Sequence, residues 1–316
     1  MNVKLDFTRF NGVCEVKYLT SSRSKLYSVK INGKRYVLKV YDRDPQSQVR
    51  AREVAVRLRA VENQYLNYYP ELKSIIFDGL AVDYGLVEMN SNSYYAALFK
   101  YLPGTTLYDA IDNGAIAKWN LTVRKSLIKQ SALGVGVFHG LNIVHCDLTP
   151  PNLLINKGKL SIIDVDGGGI LNSNGEWRIK PLVAGRVIFG IPNAPEVSDG
   201  KVEKIGKGLD LWWLAINSFM IATKGINPFF FLKNAEYESL RELKEILEGN
   251  VYGWPPPYEI VKKHSMFNPK VKEEHIELVV KEVNKHISSS IFYRAFVDGL
   301  DDPSKRPRAR EYLFNL

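Results

Sequence analysis

The sequence predicts an α+β chain in two lobes, a small β-rich N-terminal lobe with one helix and a larger, mainly helical C-terminal lobe. Three observations predict this. At 316 residues the chain exceeds the ~250–300 at which a single core stops growing, so two lobes are expected. Up to residue 102, apolar and polar residues alternate with the period of strands. Beyond Pro103-Gly104 the apolar residues recur at helical spacing. The expected division is therefore 1–102 and 103–316, with a hinge at Lys100–Gly104.

Each element has its own signal. Lys25–Ile31 and Lys34–Asp42 alternate about Asn32-Gly33, a strong hairpin turn. In the second strand Tyr36, Leu38 and Val40 share one face, and Val37, Lys39 and Tyr41 share the other. Pro45–Asn63 reads as a helix, opened by proline, with Val49, Val54, Val56, Leu58 and Val61 as its apolar positions. Leu80–Met89 and Ser93–Leu102 are strands about an Asn90–Asn92 turn. Leu121–His139 is helical, and Asn142–Val144 leads into a loop. Leu153–Ile155 and Leu160–Ile163 are short strands around Lys157-Gly158. Asp210–Ala222, Glu238–Leu247, Glu273–Lys285 and Ser288–Val297 are further helices.

Bulk properties exclude several classes. With 45% hydrophobic and 24% charged residues the chain is not disordered. Its net charge of +9 suits an acidic partner such as nucleotide phosphates. The basic residues are dispersed, which argues against nucleic acid as the primary partner. Cys14 and Cys146 build neither a disulfide framework nor a metal-type spacing. MNVKLDFTRF lacks an apolar signal core, so a cytoplasmic protein is expected. Leu209–Leu232 is apolar but interrupted by Asp210, Asn217, Lys224, Gly225 and Pro228. It reads as a buried helix and turn, with no membrane span.

The chemistry concentrates in His145–Asn152, HCDLTPPN, which sets Asp147 and Asn152 five residues apart. Asp164-Val165-Asp166-Gly167 follows a strand-like run. A carboxylate to accept a hydroxyl proton, an amide oxygen and a further carboxylate for Mg²⁺ are the parts that phosphoryl transfer needs.

Layout and motif order together resemble the eukaryotic-type protein kinase family over nearly the whole chain. The resemblance implies that Asp147 is the catalytic aspartate, and that Asn152 and Asp164 are ligands of Mg²⁺, or of Mn²⁺ in its place. Lys39, in Tyr-Val-Leu-Lys, would contact the ATP phosphates. Glu53 is the expected helix partner of Lys39, with Glu62 the alternative. Phe99 would be the gatekeeper and the backbone of Lys100 and Leu102 would meet adenine, with Thr106 and Leu154 completing the nucleotide site. Ala194-Pro195-Glu196, Asp210-Leu211-Trp212, Gly225 to Phe229 and Asp302 to Pro307 match the family's APE, DxW, G-x-x-PF and DPxxRP elements. Glu196 and Arg306 are accordingly expected to pair.

The departures are specific. The glycine-rich phosphate loop is replaced by Leu19-Thr20-Ser21-Ser22-Arg23-Ser24-Lys25. Its hydroxyls at Ser21, Ser22 and Ser24, with Arg23 or Lys25, would hold phosphates instead. Cys146 stands where HRD has arginine, and Val165–Asn193 contains one serine, Ser173, and no threonine or tyrosine. Independence from activation-loop phosphorylation is expected. Thr149 stands where serine/threonine kinases usually have lysine. Asp-Val-Asp-Gly replaces DFG, leaving Asp166 as an extra metal ligand, or the principal one if Asp-Gly-Gly is the equivalent. This Asp-x-Asp, with YGWPPP at 252–257 and AFVDGLDDPSKRP at 295–307, is similar to a bacterial kinase branch, some of whose members carry DNA-binding modules. No such module fits in this chain.

The expected function is Mg²⁺- and ATP-dependent transfer to serine or threonine of a protein substrate, itself included. The alternatives are a small-molecule kinase of the aminoglycoside or choline type, which lacks the platform elements above, and a pseudokinase scaffold.

Overall fold

The computed structural model describes the chain except residues 22–23, 42–44, 182–187, 199–204, 248–252 and 316. The first six strands are β1 (Asn2–Phe7), β2 (Asn11–Ser21), β3 (Lys25–Ile31), β4 (Lys34–Tyr41), β5 (Ala81–Met89) and β6 (Asn92–Lys100). They close into an antiparallel barrel in the order β1-β2-β3-β4-β6-β5. Alternation fills it: Val3, Leu5, Val29, Leu38, Val87 and Leu98 meet in the interior, and Val37, Lys39 and Tyr41 face out. Asn32 and Gly33 take positive φ of 48° and 76°, the geometry of a tight two-residue hairpin turn.

Strand β1 was not expected from the sequence. It pairs with both β2 and β5, which removes two open sheet edges. Closure depends on Gly85, which lies opposite Phe7. A Cβ there would stand 2.1 Å from the Asp6 carbonyl oxygen. Gly85→Ala is expected to cost about 1–3 kcal/mol through overpacking. Thermal unfolding monitored by circular dichroism checks it, and an unchanged midpoint would mean that closure does not need this close approach.

The helix expected at Pro45–Asn63 is α1 (Pro45–Arg59), followed by the short α2 (Glu62–Tyr68) and α3 (Leu72–Ile75). Its buried face is Ala51, Val54, Ala55 and Leu58. Val49 and Val56, expected as apolar core positions, are each 58% exposed. Small alanines let the helix lie close to its neighbours, and the helical repeat then turns those two valines to solvent. Gln48 fastens α1 to the barrel, its Nε2 donating to the carbonyls of Gly85 (2.7 Å) and Ala96 (2.9 Å).

After the Tyr101–Gly104 linker come β7 (Thr105–Thr106), α4 (Leu107–Asp112), α5 (Leu121–Gly140), β8 (Ile143–Val144), β9 (Leu153–Asn156) and β10 (Lys159–Ile162). Then follow β11 (Gly169–Leu171), β12 (Trp177–Ile179), α6 (Pro195–Ser198), α7 (Lys207–Ala222), α8 (Tyr237–Leu247) and α9 (Tyr258–Val261). The chain ends with α10 (Glu273–Asn284), α11 (Ser289–Tyr293) and α12 (Ala309–Phe314). Caps start the first two helices: Thr106 Oγ1 accepts from Asp109 N at 3.0 Å, and Asn120 Oδ1 from Val123 N at 2.9 Å. The helix expected at Ser288–Val297 is interrupted, α11 passing into a π turn at Arg294–Asp298. From Leu209 to Ala222 every residue of α7 is buried, so the apolar stretch is a core helix. No helix among the described residues is long and apolar enough to cross a membrane.

The core around α7 also takes in Val54, Leu58, Leu72 and Phe77 from the N-terminal third, separately from the barrel interior. At its edge Arg306, 1% exposed, meets the Glu196 carboxylate through two bonds of 2.6 and 2.8 Å. The same guanidinium donates to the carbonyls of Gly299 and Gly208, both at 2.8 Å, and lies over Trp212. One side chain thus joins α6, the start of α7 and the loop after the π turn.

Candidate active site

A cavity of ≈ 570 Å³ separates the barrel from the helical lobe. The barrel supplies Leu26 and Val37, and the helical lobe supplies Leu154, giving an apolar slot. Phe99, Lys100, Leu102 and Thr106 line it next to the Tyr101–Gly104 linker. Thr20 and Ser24, from the stretch that stands in place of a glycine-rich loop, line it as well. Ser21 ends β2 opposite Lys25, and Ser22 lies outside the described residues. Tyr41, Ser47 and Gly79, which the sequence did not single out, also border the cavity.

The polar end is built by one loop. Asp210, 0% exposed on α7, accepts the backbone N–H of His145 (2.8 Å) and of Cys146 (2.9 Å). Those bonds hold the loop where Cys146 takes φ 64°, a left-handed conformation. His145 Nε2 donates to the Ile163 carbonyl at 2.9 Å while Nδ1 accepts from Asp147 N at 3.3 Å. It is a structural histidine tying the loop to the segment that ends in Asp164. Asn152 Nδ2 donates to the Asp147 carbonyl at 2.7 Å, leaving its Oδ1 without a donor among the described residues. Thr149 Oγ1 donates to Asp147 Oδ1 at 3.0 Å. Burial first, and then the Asp210 charge, raises the Cys146 thiol well above its usual range, so it stays protonated.

Opposite this loop, Lys39 Nζ contacts both carboxylates of the Asp-x-Asp: Asp164, and Asp166 at 2.8 Å. Tyr41 Oη donates to Asp166 Oδ2 at 2.7 Å. The two aspartates differ in setting. The Asp164 side chain is 41% exposed to the cavity and that of Asp166 only 4%. Burial would push Asp166 up, but the Lys39 ammonium and the bonds from Lys39 and Tyr41 hold it below the ordinary carboxylate range. Asp164 is raised, by desolvation at the cavity floor first, with the Asp166 and Asp147 charges adding to it and Lys39 opposing. Burial also works against the Lys39 charge, yet the two carboxylates hold its pKa above the usual value.

The structure corrects one expected pairing. Glu53 does not meet Lys39; it lies half exposed, 3.7 Å from Arg178. It sits two positions from buried Ala51, about 200° round the helix, and so on the opposite side. The alternative, Glu62, bonds Arg59 at 2.7 Å on the surface. Both carboxylates are spent elsewhere. Among the described residues no three His, Cys, Asp or Glu side chains form a metal cluster. The oxygen donors of Asp164 and Asn152, with the unpartnered Oδ1 of Asp166 nearby, suit a hard divalent cation such as Mg²⁺ that keeps other ligands of its own.

The family model for the protein kinase domain matches residues 24–312. The chain belongs to the protein kinase family. The matched region of this kinase domain begins after β1 and β2. Its relatives include the serine/threonine-protein kinase ppk34 of Schizosaccharomyces pombe, 27% identical over 154 residues, 48% of this chain and 42% of that protein. Skeletal/cardiac muscle myosin light chain kinase 2 of Oryctolagus cuniculus is 23% identical over 255 residues, 76% of this chain and 38% of that protein. The probable serine/threonine-protein kinase fhkD of Dictyostelium discoideum is 26% identical over 189 residues, 56% and 24% of the two chains. The kinase domain thus spans less than half the length of each of these relatives.

Proposed function

We propose that this kinase transfers the γ-phosphoryl group of ATP, with Mg²⁺, to a serine or threonine hydroxyl of a protein, copies of itself included. One observation carries the reading: Asp147, Asn152, Asp164 and Lys39, drawn from separate parts of the sequence, border one cavity whose other walls include the apolar Leu26, Val37 and Leu154. Asp147 accepts the acceptor hydroxyl's proton as that oxygen bonds to the γ-phosphorus. The bond to the bridging oxygen then breaks, and ADP leaves with the electron pair. Lys39 holds phosphate oxygens, and Asp164 with Asn152 would hold Mg²⁺, which supplies charge neutralisation. Thr149 holds the Asp147 carboxylate by its hydroxyl bond. The buried Glu196–Arg306 joint and α7, buried from Leu209 to Ala222, favour a protein acceptor, since they brace a platform that a small acceptor does not require.

The test is transfer of labelled phosphate from ATP to the chain itself and to a generic basic protein, comparing wild type with Asp147→Asn and Asp164→Ala. Wild-type transfer no greater than the variants', with nucleotide binding retained, would sink the reading in favour of a scaffold. Transfer to small alcohols alone would sink the protein acceptor.

Activity without activation-segment phosphorylation belongs to the same proposal. Cys146 is buried and uncharged at the position that would otherwise present an arginine to a phosphate. Ser173 sits in the exposed turn between β11 and β12. Ser173→Ala is expected to change kcat by no more than about twofold, as surface substitutions do. Loss of activity in that variant would refute it.

A further inference from the structure

We infer that Asp166 is the positioning residue for Lys39, supplying from the Asp-x-Asp loop the carboxylate that helix α1 does not present. The inference rests on the assignment of Lys39 as the lysine that contacts phosphate.

Four observations carry it. The only carboxylate on α1 is Glu53, which faces Arg178. The α1 residue that packs toward β4 is Ala51, 1% exposed and in contact with the cluster of Tyr41, Ala81 and Ala97. No acidic side chain of α1 therefore reaches Lys39. Asp166, by contrast, is 2.8 Å from Lys39 Nζ and is locked by Tyr41, which rises from the same face of β4 two residues along. Lastly, the two aspartates differ in exposure: Asp164 opens to the cavity, where phosphate and cation would come, and Asp166, although it borders the same cavity, is almost wholly buried.

That difference gives each carboxylate one task. A charge buried as deeply as Asp166 must be compensated, and Lys39 is the cation that touches it. When Asp164 turns to a cation, Lys39 keeps its second contact. The lysine's position then depends on a unit of β4 and the loop after β10, with no need for α1 to swing in. Helix α1 is itself fixed to the barrel through Gln48. Glu53 and Arg178, with Arg50 donating to the Lys180 carbonyl at 2.8 Å, tie its outer side to the segment around β12.

The experiment is a double-mutant cycle on the full chain with Lys39→Met and Asp166→Asn, reading kcat, KM for ATP and the Mg²⁺ concentration giving half-maximal rate. Each single variant is expected to lower kcat on the order of 10²-fold, the cost of a misplaced catalytic group. The double variant is expected to lie within about twofold of the worse single, because Asp166 acts through Lys39. The Mg²⁺ requirement and KM for ATP should stay within about twofold of wild type in Asp166→Asn while kcat falls. Losses that multiply, or a raised Mg²⁺ requirement, would overturn the inference and make Asp166 a cation ligand instead. Glu53→Gln paired with Lys39→Met serves as the contrast, where independence is expected. If wild type transfers no phosphate, the kinase reading fails by itself. The contact is then read from melting midpoints of the same cycle, where additive shifts for Lys39 and Asp166 would overturn it.

Discussion

Replacing Asp147 with asparagine is expected to lower phosphoryl transfer by about 10²–10⁴-fold, the range that a positioned general base contributes. The substitution keeps the shape of the side chain and an oxygen for the Thr149 hydroxyl, which now bonds Oδ1 at 3.0 Å. The loop's other supports are backbone groups held by Asp210 and the Asn152 bond to the Asp147 carbonyl. None of them uses the Asp147 charge. The melting midpoint and its rise on adding nucleotide should therefore match wild type. Asp164→Ala is expected to differ: it frees Lys39 of one partner and removes the carboxylate that faces the cavity. Its transfer should fall, and its nucleotide-induced stabilisation should lose its dependence on Mg²⁺. An Asp147→Asn enzyme as fast as wild type would mean that proton removal is not assisted by this group.

The members of the candidate site that the sequence singled out and the fold brings to one cavity are those fixed by local geometry. Asp147 and Asn152 belong to one loop, so five residues of spacing suffice to bring an amide to a carbonyl. Lys39 was legible because β4 alternates, and its neighbours Leu38 and Val40 are unambiguous interior residues. Asp164 lies two residues past the end of β10, and the strand's alternation sets where it ends. What escaped depends on contacts between distant elements. Glu53 and the alternative Glu62 both lie within the helix expected at Pro45–Asn63, yet the phase of a helix is set by what it packs on. The stripe Ala51, Val54, Ala55 and Leu58 was the available signal. It was obscured because alanine scores as weakly apolar, while Val49 and Val56 score as core and are exposed. Strand β1 alternates as clearly as β4, but only its pairing with β5 across Gly85 makes a barrel. Asp166 as a partner of Lys39 and Tyr41 required the fold itself, since 125 residues separate Tyr41 from Asp166.

Breaking the Glu196–Arg306 joint is expected to be the most damaging change to stability. The pair is buried on both sides, with exposures of 6% and 1%, and its two bonds leave no room for water to take over. Removing either partner strands the other's charge, which typically costs ~3–5 kcal/mol. Against a total stability of ~5–15 kcal/mol that is a third or more, and the melting midpoint should fall by on the order of 10 °C. The two single variants should not be equal. Glu196→Ala leaves a guanidinium that still donates to the carbonyls of Gly299 and Gly208 and still lies over Trp212. Arg306→Ala leaves a bare carboxylate and also orphans those two carbonyls, so it should melt lower. A double variant with apolar residues of similar size, Glu196→Leu with Arg306→Met, is expected to recover part of the loss, because no charge remains to be desolvated. Activity separates stability from function here. At a temperature where the double variant is fully folded, its transfer to a protein acceptor should still be reduced, since α6 is no longer held at a fixed angle to α7. Equal activity at that temperature would mean that the joint serves the fold alone.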